Sequence, residues 1–412
     1  MGGEPAASRP AELNSRTVIG VTACLIGQML GSSLLTSAAL PLLLLPITTQ
    51  FGWTATAFST AITFMMICGA ISGPLIGRLI DHFGARRVIL CGTVMVGLTT
   101  LGLTTTNRHI WLFYVAHALL GVFGTTALGY VKIIGGLFVQ NRAKALAVFG
   151  VEAALAGSAA PLLIEAVLSA HGWRAVYLVL GGTILATVPV LFVMLPRTKT
   201  AEEIDDSAAG TTGIPPGEAL RTGTMWLLIA AVVVGAAPRL GFMAYIVPFL
   251  DERGFQAASG ASAIASVTIS GLAGSLVAGI LMDRFPTPLI AVPLQLLGMV
   301  SVFGLALLGN STTSWAGLIT VSALFGFTMQ AHLPLMSYFL SRFFGLLHFG
   351  QIYGVAVAVV AIGIGLFTPA IGSIIENGLG YTGAIWIMTF GLMLSALLFL
   401  RLGTLQSRLS LY

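Results

Sequence analysis

Twelve apolar runs, each near the roughly 20 residues that a helix needs to cross a bilayer, follow one another along this chain. They begin near residues 17, 55, 88, 110, 144, 174, 222, 257, 288, 313, 349 and 381 of 412. Hydrophobic residues make up 57% of the sequence and charged residues only 8%, against about 25% charged in soluble domains. The mean hydropathy is +0.98. The spacing predicts an all-α, polytopic membrane protein, because lipid offers backbone groups no hydrogen-bond partners and a helix satisfies its own. An even number of spans places both termini on the same side.

The net charge of +5 and pI near 9.3 suit a nucleic-acid partner less well than they suit a membrane. Only Arg108, Arg174 and Arg253 fall in loops on the side away from the termini, and Lys132 and Arg239 fall within spans. The rest of the 19 Lys and Arg gather on the side of the termini. That bias is the positive-inside pattern, so both termini are expected in the cytoplasm and the protein in an inner or plasma membrane. The N-terminus lacks a short apolar core followed by a small-residue cleavage site, so the first run is expected to stay as a helix. Cys24, Cys68 and Cys91 all lie in apolar runs and read as packing residues rather than a disulfide or metal framework.

The longest polar interruption, rich in Gly, Pro and acidic residues, divides the chain. The expected organisation is a tail at 1–16, a six-helix half at 17–196, a linker at 197–221, a second six-helix half at 222–403 and a tail at 404–412. The halves repeat each other. At one constant spacing Pro46, Gly52, Trp53, Gly69, Gly77 and Asp81 match Pro248, Gly254, Phe255, Gly271, Gly279 and Asp283, and Gly157, Pro161, Gly172 and Trp173 match Gly365, Pro369, Gly380 and Tyr381 at another.

Between spans 2 and 3 the chain reads G-R-L-I-D-H-F-G-A-R-R, and between spans 8 and 9 it reads G-I-L-M-D-R-F-P. This G-x-L-x-D-x-x-G-x-R-R pattern and its weaker copy resemble the loop motif of the major facilitator superfamily. The stretches Phe138 to Ala147, Gly172 to Arg174 and Arg342 to Gly354 are similar to its monocarboxylate and oxalate/formate transporter branch. The resemblance covers the whole chain. It implies two six-helix halves with a substrate site between them near the midplane, reached alternately from either side. It also implies a cytoplasmic gate at Gly77, Asp81, Gly84, Arg86, Arg87, Gly279, Asp283 and Arg284, and a cavity lined by spans 1, 4, 7 and 10. Span 8 departs from the branch, since it lacks an intramembrane Arg for the carboxylate.

An ionisable group inside a membrane is costly and is by default a functional candidate. The set is short: His117, Lys132, Glu152, Glu165, Arg239 and His332. Arg239 follows Pro238 and offers the planar fork that suits a carboxylate, or it pairs structurally toward Asp251 and Glu252. Lys132 and Glu152 stand at similar depth on either side of one loop and read as an intramembrane ion pair, with a substrate role for Lys132 as the alternative. His117 stands where many superfamily members carry an Arg, four residues before Gly121, and is either proton-sensitive or a neutral, satisfied side chain. Glu165 and His332 are further candidates for proton coupling. Gln330 and His332 are expected in the cavity, with Gln28, Tyr130, Tyr245 and Tyr338 as additional lining residues or as interhelical hydrogen-bond partners.

No P-loop, no H-E-x-x-H and no Cys/His metal spacing occurs, so enzymatic activity, a metal and a cofactor are not expected. The reading is a proton-gradient-driven monomer that takes up a small organic anion of the monocarboxylate type. Its rival is proton-antiport efflux of a drug or metabolite. Such exporters carry a G-P-x-x-G-G-like motif in span 5, of which Ala160 to Glu165 keeps only Pro161.

Overall fold

The computed structural model describes residues 15–137, 142–196, 214–285, 287–309, 315–345 and 349–409. The side chains of Asp81, Glu152 and Asp283 lie outside the described residues, and so does the linker from 197 to 213. Every regular element among the described residues is helical.

The helices follow the twelve apolar runs. Span 1 is made of α1 (Ser15–Leu30) and α2 (Ser33–Phe51), span 2 of α3 (Ala55–Phe83), and span 3 of α4 (Ala85–Gly102). Span 4 consists of α5 (Ile110–Gly124) and α6 (Leu128–Leu137), while spans 5 and 6 run together as α7 (Arg142–Met194). A single turn, α8 (Pro216–Ala219), precedes span 7, which is α9 (Gly223–Phe242) followed by α10 (Ile246–Glu252). Then come α11 (Ala257–Arg284), α12 (Ala291–Leu307), α13 (Trp315–Met329) with α14 (His332–Phe344), α15 (Phe349–Ile374) and α16 (Gly380–Leu409). The last helix continues past residue 403 into the expected tail.

Among the described residues, ten helical stretches are long and apolar enough to cross a membrane. Two of them, Gly157–Met194 and Gln351–Leu405, have 38 and 55 residues, well beyond the roughly 20 of one crossing. Each is broken by glycine in the left-handed region, Gly172 at φ 78° and Gly380 at φ 55°. Taken as two-helix hairpins, they supply the remaining crossings that the sequence implies. These two glycines were paired by the internal repeat, as were Gly52 and Gly254, at φ 69° and 79°. The repeat therefore extends to backbone conformation, which side-chain-bearing residues rarely adopt.

Helix ends follow local chemistry. Thr54 and Thr222 cap α3 and α9, their hydroxyls accepting from the N–H of Ala57 and Met225, as N-cap residues do. At the other end of α3, Gly84 at φ 84° turns the chain directly into α4, its N–H returned to the Ile80 carbonyl. That is the turn expected of the loop motif.

Within each half a glycine lets two helices cross at backbone contact. A Cβ on Gly121 of α5 would lie 2.1 Å from the Met65 carbonyl oxygen of α3, and a Cβ on Gly326 of α13 would lie 2.0 Å from that of Val267 on α11. Small residues at such crossings are what membrane packing uses in place of a hydrophobic driving force.

The buried apolar residues divide into three groups, and the division defines the shape. One group draws on both halves and fills the end of the molecule away from the linker, for example Leu43, Phe58, Phe113 and Tyr177 with Phe242, Phe249, Phe325 and Ile371. Toward the linker end each half has its own core, around Ile80, Ile89 and Ile134 in the first and Met282, Phe339 and Ile352 in the second. The halves thus share a core at the far face and part toward the linker face. Their largest mutual contacts are α3 with α15 and α7 with α11.

Candidate functional site

Four spans are interrupted within their length, and they are spans 1, 4, 7 and 10. Span 1 bends at Gly31 and Ser32, span 4 passes through a 3-10 turn at Thr125–Ala127, span 7 through one at Met243–Tyr245, and span 10 breaks at Gln330 and Ala331. Broken helices in a membrane are tolerated where freed backbone groups are satisfied again by side chains or line a polar space. Here hydroxyls do part of that. Ser32 donates to the Gln28 carbonyl at 2.6 Å and Thr126 to that of Phe123 at 2.6 Å. At the break in span 10, His332 Nδ1 lies 2.8 Å from the Met329 carbonyl oxygen.

Arg239 stands one turn before the break in span 7 and is 1% exposed. Its Nε donates to the Gly235 carbonyl at 2.8 Å and its Nη1 to Thr328 Oγ1 of α13 at 3.3 Å. Gly298 of α12 lets the guanidinium pass, since a Cβ there would lie 3.2 Å from Nη1. Both recorded partners are neutral, and no carboxylate pairs with Arg239 among the described residues. The expected alternative partners, Asp251 and Glu252, lie at the exposed end of α10. Hydrogen bonds to a charged group contribute about 1.5 to 3 kcal/mol each, comparable to the roughly 2.5 to 3.5 kcal/mol that an Arg at a span centre costs on insertion scales. They hold the fork in place but supply no counter-charge themselves.

His332 is 7% exposed at the start of α14. Because a carbonyl oxygen only accepts, the Nδ1 of His332 must carry the hydrogen, which leaves Nε2 to gain or lose a proton. His117 makes the same bond to the Phe113 carbonyl at 2.8 Å. It is fully buried against the Phe113 ring at 4.2 Å, and its Nε2 has no hydrogen-bond partner among the described residues. Arg239 and Thr328 therefore join α9 to α13, His332 opens α14 four residues beyond Thr328, and His117 stands on α5 of the first half.

The other expected lining residues scatter. Gln330 packs against Gly271 of α11. The Gln28 Oε1 is buried without a hydrogen-bond partner among the described residues. Tyr130 is 2% exposed and presses on Gly27 of α1, so it packs the first half rather than lining open space. Tyr338 is half-buried and accepts from Arg342 Nη1 at 3.4 Å. Glu165 is half-buried on α7, as is Lys132 on α6, and the proposed partner of Lys132, the Glu152 side chain, lies outside the described residues.

Tyr245 belongs to the far face. Its hydroxyl donates to Ser59 Oγ of the first half at 2.5 Å and lies 3.0 Å from the Thr368 carbonyl of the second. It is the middle of a row between α3 and α15. Thr63 donates to the Gly365 carbonyl on one side, and Thr56 is bound by Glu376 on the other. Sequence reading named Tyr245 but passed over the rest of this row and Thr328. A signal was present in the i, i+3, i+7 spacing of hydroxyls at Thr56, Ser59 and Thr63, which puts them on one face of α3.

At the linker face, Arg86 Nη2 donates to the Phe192 carbonyl and its guanidinium lies 5.2 Å from the Phe192 ring centroid. The loop motif thus ties α4 to the end of α7. Arg87 and Arg284 are exposed and Gly77 and Gly279 half-buried, with open space where a Cβ would stand on either glycine.

An all-helical chain of membrane-long helices with a core shared at one face and interrupted spans has the build of a membrane transporter. The sequence profile of the Major Facilitator Superfamily matches residues 24–363, and the chain belongs to that superfamily. It is 21% identical over 320 residues to an MFS-type transporter of Gibberella moniliformis, with 75% of this chain and 73% of that one covered. It is 29% identical over 126 residues to Monocarboxylate transporter 6 of Mus musculus, a match of 30% of this chain and 27% of the other. In fold it resembles a bacterial homolog of the human lysosomal transporter Spinster, in an inward-facing and occupied conformation. The TM-score is 0.71, with 13% identity, over 96% of this chain and 98% of that one.

Proposed function

We propose that the protein takes up a small organic anion of the monocarboxylate type together with protons, by alternating access and as a monomer, with the linker face in the cytoplasm. The observation that carries this reading is Arg239, a fully buried cation whose recorded partners are neutral. A charge held in the membrane interior without a counter-charge favours an anionic ligand, and the guanidinium fork fits a carboxylate in two parallel hydrogen bonds. His332 beside it supplies a proton site whose charge adds to that of Arg239. A substrate anion and a proton then arrive in one neutralised group. The partial similarity to Monocarboxylate transporter 6 supports the substrate class, and the side preference of Lys and Arg supports the orientation. No cofactor is required, since the gradient supplies the energy.

Uptake of labelled short-chain monocarboxylates into proteoliposomes tests it. An inward proton gradient should drive accumulation, and a protonophore should abolish it. Accumulation of a neutral or cationic solute instead, or carboxylate flux indifferent to the gradient, contradicts the reading.

A further inference from the structure

Glu376 sits in the π-helical turn at Ile375–Leu379 that follows α15, outside the set that membrane depth singled out. Its side chain is exposed at the far face and reaches across the seam between the halves. One carboxylate oxygen accepts from the backbone N–H of Thr56 at 2.9 Å and the other from the Thr56 hydroxyl at 2.7 Å. Thr56 lies in the first turn of α3, so the carboxylate also meets the positive end of that helix. This is a charge-assisted, two-point contact between halves.

Inward of it, Tyr245 ties Ser59 to Thr368, and Thr63 meets Gly365. Glycine at 365 and 372 lets the helices approach. A Cβ on Gly372 would lie 2.3 Å from the Tyr245 hydroxyl, and one on Gly365 would lie 3.1 Å from the Met66 Cβ. Exposed Arg108 and Arg174 lie on the far face of the first half, while exposed Asp251 and Glu252 lie on that of the second.

We propose that Glu376 is the clasp of the far-side gate, a positioning residue whose bonds to Thr56 hold the carrier open toward the linker face. It must release before substrate enters from the far side. The inference rests on the alternating-access reading but is independent of the substrate and of Arg239.

The test uses the full chain in nanodiscs without substrate. Cys24, Cys68 and Cys91 are replaced and spin labels attached through His171→Cys and Gln256→Cys, two exposed far-face positions on opposite halves and outside the row. The parent should show mainly a short inter-label distance. Glu376→Gln should move the closed-to-open ratio toward open by about tenfold, equivalent to about 1.4 kcal/mol. Thr56→Val should do the same, and the double variant should add little to either, because both remove one contact. Asn377→Ala, whose side chain donates to Ser373 of its own half, should leave the distribution in place. A correctly folded Glu376→Gln protein with the parent distribution overturns the proposal, and so does equal opening by Asn377→Ala. Either failure leaves the proton-driven uptake assay free to succeed.

Discussion

The guanidinium of Arg239 and the hydroxyl of Thr328 are 3.3 Å apart between two interrupted spans of the second half. The hydroxyl also faces the Phe325 carbonyl at 3.1 Å, so it orients the fork without neutralising it. Thr328→Val keeps shape and removes that bond. It should weaken anion binding about threefold to tenfold, in line with roughly 0.5 to 1.5 kcal/mol for a single hydrogen bond, and leave insertion intact. Titration calorimetry with the transported acid measures it, and unchanged affinity would mean that Thr328 does not orient the fork.

The glycine crossings are expected to be intolerant. Alanine at Gly121 or Gly326 would put a Cβ about 2 Å from a backbone carbonyl oxygen, and neither backbone can yield without parting two packed helices. Each variant should lower the thermal transition by several degrees or fail to assemble, since overpacking costs roughly 1 to 3 kcal/mol. Gly77→Ala, with open space at its Cβ, is the tolerant control.

A proton on His332 Nε2 would place a second positive charge beside Arg239. Anion affinity should therefore be highest at low pH and fall as pH rises and His332 loses that proton. His332→Gln should flatten that profile while keeping a donor for the Met329 carbonyl. His117→Gln should not flatten it, because His117 lies apart from Arg239 in the first half. A profile that depends on His117 instead would move the proton site there.

In the loop motif, Arg86 holds α4 to the end of α7 through the Phe192 carbonyl and ring. Arg86→Ala and Asp81→Asn should slow transport more than they weaken equilibrium binding, since the loop lies at the linker face and not at the substrate group. Comparing uptake rate with affinity decides it, and reduced affinity at an unchanged rate would contradict the placement.

Much of this architecture was legible in the sequence. Apolar run length located the spans, and Gly52 with Gly254 and Gly172 with Gly380 marked the repeat because only glycine suits their backbone. Arg239 and His332 stood out because charge is rare at membrane depth. What stayed hidden depends on the pairing of distant helices. The role of Tyr245 follows from Ser59 and Thr368, which no local pattern connects. Glu376 was overlooked because an acid in a loop is ordinary until its partner on the other half is known. Breaks in spans 1, 4, 7 and 10 were only partly signalled, since Pro238 precedes one of them while the others rest on small and hydroxyl residues.

The central claim is that Arg239 holds the carboxylate of the substrate, and equilibrium binding of that acid to purified wild type, Arg239→Ala and Arg239→Lys tests it most directly. Arg239→Ala should bind at least about tenfold more weakly, a loss of about 1.4 kcal/mol or more. Arg239→Lys should recover only part of the affinity because the fork is gone, and a neutral analogue should not distinguish the three. If correctly folded Arg239→Ala binds the acid as tightly as wild type, Arg239 is structural and the anion reading fails.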